Sequence, residues 1–66
     1  MENTIRVERA KKNITQVQLA ERVKISRQQL IKIEQGSDTS LKNALRIAKV
    51  FETKVDDIWT LNEYDE

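Results

Sequence analysis

Thr15-Gln16-Val17-Gln18-Leu19-Ala20-Glu21-Arg22-Val23-Lys24-Ile25-Ser26-Arg27-Gln28-Gln29-Leu30-Ile31-Lys32-Ile33-Glu34-Gln35-Gly36 carries two helix starts a short distance apart. Thr15 and Gln18 form a T-x-x-Q capping box, and Ser26 and Gln29 form an S-x-x-Q box. In such a box the hydroxyl and the side-chain amide satisfy backbone N–H groups that a helix start leaves free. One helix therefore begins at Thr15 and ends near Val23. The next begins at Ser26 and ends at Gln35, where Gly36 supplies a left-handed stop. Only Lys24 and Ile25 separate Val23 from the cap Ser26. So short a turn makes the two helices cross steeply. Small Ala20 falls where they approach closest, and Ile25, Leu30 and Ile33 follow at offsets that suit a shared core.

Outward from this pair the sequence predicts three more helices. A first runs over Thr4–Lys12 with Asn3 as its cap. A fourth runs over Ser40–Phe51, after the loop Ser37-Asp38-Thr39. A short fifth covers about Val55–Trp59, with Asp56 and Asp57 at its positive N-terminal end. The tail Thr60–Glu66 is polar and acidic, and it could form a short strand pair with residues 1–3. Apolar residues at helical spacing mark the core: Val17, Leu19, Ala20 and Val23, then Leu30 and Ile33. Leu41, Ala44, Leu45, Ala48 and Phe51 form a stripe in the fourth helix, and Ile58 and Trp59 close the cluster. The reading is an all-α globule of five short helices, one domain over residues 1–66.

Composition narrows the chemistry. The 66 residues include no cysteine, histidine or proline. That removes disulfide scaffolds, zinc fingers and nucleophilic Cys or His catalysis. No glycine-rich phosphate loop is present, and so small a chain has little room for a pocket, so no enzyme is expected. Asp56-Asp57 reads as helix capping and not as a metal site, and no cofactor or small-molecule ligand is expected. No apolar run is long enough to span a membrane. The start Met1–Arg6 lacks the apolar stretch of a secretory signal, which fits a cytoplasmic protein. The net charge of +1 hides an asymmetry. Residues 1–51 carry eleven Lys/Arg against five Asp/Glu, whereas residues 52–66 carry one against six. A basic body suits an anionic partner.

The third helix shows where that partner would sit. With Arg27 as origin, Ile31, Gln35, Gln28 and Lys32 project at roughly 40°, 80°, 100° and 140°. Ser26, Gln29, Leu30 and Ile33 fall on the other side. One face is core and cap; the other is Arg, Gln, Lys and Gln with no acid. Arg27 lies in the first turn, where a cation works against the helix dipole by about 0.3–1 kcal/mol. Its placement makes sense if it meets an anion or a base edge. Arginine offers a donor fork to guanine O6 and N7, and glutamine can donate and accept with adenine N6 and N7. Ile31 could pack on a thymine methyl or belong to the core edge. On a helix-turn-helix frame, the alternative of a plain solvated face is the weaker one.

Gln16-Val17-Gln18-Leu19-Ala20, then Ile25-Ser26-Arg27-Gln28-Gln29-Leu30 and Ile33-Glu34-Gln35-Gly36, resemble the Xre/Cro family of phage-repressor-type helix-turn-helix proteins. The likeness runs from Ile5 to Trp59 and implies a compact lambda-repressor-like DNA-binding domain, with the helix-turn-helix at 15–35. It implies that Arg27, Gln28 and Lys32, with Ile31 beside them, face bases in the major groove of double-stranded DNA. It implies phosphate contacts by Gln16 and Thr15 at a helix N-terminus, and by Gln35, Lys42 and Asn43. It implies that Arg9 and Glu34 form a structural ion pair. Three features depart from the family pattern. Lys24 stands where glycine is usual, Glu8 where leucine is common, and the loop after Gly36 is about one residue shorter and lacks proline.

Trp59, Leu61 and Tyr64 are large residues in an acidic segment. Trp59 reads either as a lid on the monomer core or, with Leu61 and Tyr64, as a dimer seam. Small relatives bind palindromic operators as homodimers, and one recognition helix alone reads few base pairs. The function expected is a sequence-specific, homodimeric transcriptional regulator acting as a repressor. The alternative is an antitoxin- or adaptor-type protein-interaction module on the same fold, using Ile31 and the aromatic tail.

Overall fold

The computed structural model describes residues 1–60. In chain order they form strand β1 (Glu2–Asn3), helices α1 (Ile5–Lys12), α2 (Gln16–Val23), α3 (Arg27–Glu34), α4 (Leu41–Val50) and α5 (Val55–Ile58), and strand β2 (Trp59–Thr60). The expected five helices are present, and so is the terminal strand pair. β1 and β2 are antiparallel, with Glu2 opposite Thr60 and Asn3 opposite Trp59. The pair closes the molecule by joining its first and last described segments.

Local chemistry sets the helix ends. At Thr15 the capping box is complete: the Gln18 N–H donates to Thr15 Oγ1 at 3.1 Å, and the Thr15 N–H donates to Gln18 Oε1 at 2.9 Å. The box expected at Ser26 is only half made. The Gln29 N–H donates to Ser26 Oγ at 3.0 Å, without a reciprocal bond from the Gln29 side chain. Ser40 caps α4 the same way, accepting from the Asn43 N–H at 3.1 Å. The first helix starts one residue later than expected, and Thr4 is its cap residue without a side-chain cap bond. Asn3 still serves that end, because its Oδ1 accepts from the Ile5 N–H at 3.2 Å. The fifth helix stops at Ile58, since Trp59 is extended and belongs to β2.

The core centres on Ile5, Leu19, Val23, Leu30, Ile33, Ile47 and Ile58, all essentially inaccessible to solvent. α2 packs on both α3 and α4, and α5 closes over α4. Trp59 is 7% exposed and lids this core, so of its two readings the monomer lid is the observed one. Leu61 and Tyr64 lie outside the described residues.

Three expected core residues point outward: Val17 (48% exposed), Leu41 (70%) and Leu45 (53%). Val17 was placed by i+3 steps to Ala20 and Val23, and each such step drifts about 60° around the helix. The buried arc of α2 is centred on Leu19, Ala20 and Val23, which leaves Val17 more than about 100° away. In α4 the buried arc is Ala44, Ile47 and Ala48, followed by the C-cap Phe51. Leu45 lies roughly 100° off that arc, and Leu41 is the first helical residue, beyond the edge of the core. Ile47 is fully buried and Ile14 is 8% exposed; neither belonged to the expected core.

Candidate nucleic-acid interface

α3 presents the expected face. Arg27, Gln28 and Lys32 are exposed, Ile31 is half-buried, and Leu30 and Ile33 are buried on the opposite side. Gln29, expected on the core and cap side, is exposed. Ser26, in extended backbone at the N-cap, fixes the start of the helix. At its end, Gly36 takes φ 108° and turns the chain away.

A polar relay holds this helix against the two before it. Arg9 Nε donates to Glu34 Oε2 at 2.9 Å, and its Nη2 donates to Oε1 at 3.2 Å. The pair is thus bidentate, the geometry in which a guanidinium binds a carboxylate best. The side chains are 15% and 3% exposed. Arg9 Nη1 also donates to the Ile14 carbonyl at 3.3 Å. Gln16 continues the relay: its Nε2 donates to Glu34 Oε1 at 3.3 Å, and its Oε1 accepts from Arg27 Nε at 3.4 Å. The amide orientation follows from its partners, nitrogen toward the carboxylate and oxygen toward the guanidinium. The acid at the end of α3 is neutralised from behind, and α3 offers no acid to solvent opposite Arg27 and Lys32.

Beside the relay, at the start of α2, lies an open groove of about 380 Å³ lined by Arg9, Asn13, Thr15, Gln16, Val17 and Arg27. Two of the expected phosphate ligands, Thr15 and Gln16, therefore share one hollow with Arg27. Lys42 is exposed and Asn43 half-buried on the first turn of α4, and neither lines that groove. Gln35 is exposed as the C-cap of α3.

Two side chains that the sequence did not single out for the site also touch the motif. Asn3 Nδ2 donates to the Ile33 carbonyl at 2.8 Å, and Arg46 Nη1 donates to the Val23 carbonyl at 3.5 Å. Their partners lie 30 and 23 residues away, so no local spacing could reveal them. Glu8, the departure in α1, pairs with Lys11 at 3.6 Å and its side chain is 19% exposed.

A helix-turn-helix family model matches residues 5–58, from the first residue of α1 to the last of α5. The chain is 47% identical over 60 residues to an uncharacterized HTH-type transcriptional regulator of Methanocaldococcus jannaschii, covering 89% of this chain and 91% of the relative. It is 42% identical over 64 residues to an uncharacterized HTH-type transcriptional regulator of Archaeoglobus fulgidus, covering 96% of this chain and 90% of the relative. A second Archaeoglobus fulgidus protein of the same description is 34% identical over 64 residues. No helix among the described residues is long and apolar enough to cross a membrane. The chain belongs to the Xre/Cro-type helix-turn-helix family, whose matched relatives here are named as transcriptional regulators.

Proposed function

We propose that the protein is a sequence-specific regulator of transcription that binds a palindromic operator as a homodimer and represses by occupying it in the cytoplasm. One observation carries the reading. Arg27, Gln28 and Lys32 stand exposed on one face of a helix whose only acid is tied down by Arg9 and Gln16. In this reading α3 enters the major groove. Arg27 and Gln28 read base edges, Lys32 adds a contact one turn on, and Ile31 packs beside them. A phosphate takes the groove at the start of α2, where Thr15, Gln16 and the free N–H groups of the helix end meet it. Gln35, Lys42 and Asn43 serve the flanking backbone.

Two supports favour a dimer. Half-sites one turn of B-DNA apart lie about 34 Å from centre to centre. The described residues measure 33 × 21 × 18 Å, so two copies side by side suit that spacing. α4 also exposes Leu41 and Leu45, next to a second groove lined by Leu45, Ala48 and Val55 with Lys49, Lys54 and Asp56. A two-fold contact must be self-complementary, and this face holds both an apolar strip and charges of both signs. With Trp59 in the core, the seam is assigned to α4 and α5, not to that side chain.

Titration with salt tests the DNA reading against a protein-interaction module. Binding to a duplex should weaken with a log–log slope near −0.9 per phosphate neutralised. A duplex affinity that is absent at low salt, or flat across salt, would move the protein-partner reading to the front.

A further inference from the structure

Asn3 joins three parts of the molecule that no other side chain joins. Its Nδ2 donates to the Ile33 carbonyl in the last turn of α3 at 2.8 Å, and its Oδ1 accepts from the Ile5 N–H at the start of α1 at 3.2 Å. Its main chain pairs with Trp59 across the terminal strands. The next residue extends the seam, where the Thr4 N–H donates to the Ile58 carbonyl at 2.8 Å. Both chain ends are thereby fastened to the last turn of the recognition helix.

We infer that Asn3 is a positioning residue for base reading: through Ile33 it fixes the tilt of α3, and so the depth at which Lys32 and Gln28 meet the groove. The inference rests on the DNA reading above. α3 has only eight residues, about 12 Å of helix. Its last carbonyls have no partners within the helix. The Ile33 carbonyl takes the Gly36 N–H at 3.0 Å and the Asn3 amide. A tilt of about 5° moves the far end of such a helix by about 1 Å. That is enough to lose a hydrogen bond whose useful range is about 2.7–3.2 Å. The Arg9–Glu34 pair holds the neighbouring residue from the side of α1. Asn3 holds the same turn from the strand pair, so the two together fix position and tilt.

The test compares the full chain with Asn3→Ala and Asn3→Asp on two duplexes, one carrying a selected operator and one unrelated. Asn3→Ala removes both side-chain bonds without adding charge. Asn3→Asp keeps the acceptor for the Ile5 N–H and removes only the donor to Ile33. Circular dichroism sets a temperature at which all three proteins are folded; should Asn3→Ala unfold, Asn3→Asp carries the comparison. In both variants the ratio of operator to unrelated affinity should fall about tenfold, the cost of one buried carbonyl left unpaired. For Asn3→Ala the unrelated affinity and its salt slope should stay within about twofold, because the phosphate ligands are untouched. An unchanged ratio in both variants overturns the inference, as does an equal loss on both duplexes. A wild-type chain that selects no sequence removes the DNA reading itself, and this inference with it.

Discussion

At the scale of single residues, the ends of four helices repeat one device. After α1, α2, α3 and α4 the chain makes the paired 6→1 and 5→2 hydrogen bonds of a Schellman motif. The Ile14 N–H reaches the Arg9 carbonyl and the Asn13 N–H that of Ala10; the same pattern recurs at Lys24–Ile25, Gly36–Ser37 and Glu52–Thr53. Only one of the four left-handed positions is glycine. Asn13, Lys24 and Glu52 take φ 57°, 65° and 55°. Asparagine tolerates that region, whereas a Cβ on lysine or glutamate costs roughly 1–2 kcal/mol there. Lys24 was legible, because two residues between two caps leave no other place for the reversal. Glu52 was not, because the phase of α4 hid where its last turn falls. Lys24→Gly should relieve this strain, less the extra freedom glycine gains in the unfolded chain. The expected net gain is about 0.5–1 kcal/mol, raising the midpoint of thermal unfolding by roughly 2–6 °C for a chain of this size. A fall in the midpoint would show that Lys24 makes a contact worth more than its backbone strain.

At the scale of elements, α3 is held by polar contacts as well as by its buried Leu30 and Ile33. Glu34 is 3% exposed in its side chain and depends on Arg9 for two of its three side-chain hydrogen bonds. Removing one partner of a buried pair leaves the other charge uncompensated, at about 3–5 kcal/mol. Arg9→Ala should therefore lower stability by about that amount in denaturant titration. The double change Arg9→Met, Glu34→Leu should recover much of the loss, because no charge is then stranded. Unchanged stability of Arg9→Ala would mean that Gln16 and solvent suffice for Glu34. The helix-turn-helix itself was readable from caps and spacing because its signals are local. The family resemblance, not the periodicity, supplied the Arg9–Glu34 pairing, since its members lie 25 residues apart. α4 was read with the wrong stripe because leucine is a strong core former and a helix of ten residues allows two overlapping arcs. The Asn3 and Arg46 contacts had no sequence signal at all.

At the scale of the whole molecule, charge and apolar surface divide the labour. The base-reading face is basic, while the exposed Leu41 and Leu45 lie on α4. A patch of two leucines and a shallow groove falls well short of the roughly 800 Å² that each partner contributes to a standard interface. The account therefore predicts a weak dimer in solution that DNA stabilises by mass action. Leu45→Asp should give a monomer in equilibrium sedimentation and lower operator affinity about 10-fold or more, while Val17→Asp, on a different helix, should leave the mass unchanged. A dimer that survives Leu45→Asp places the seam elsewhere without touching the DNA reading.

Selection of binding sequences from a random DNA pool, at about physiological salt, tests the central claim most directly. The account predicts enrichment of an inverted repeat whose half-sites lie about 10 base pairs apart, centre to centre. Recovery of a pool no different from the input, with only weak and salt-sensitive binding, would contradict it.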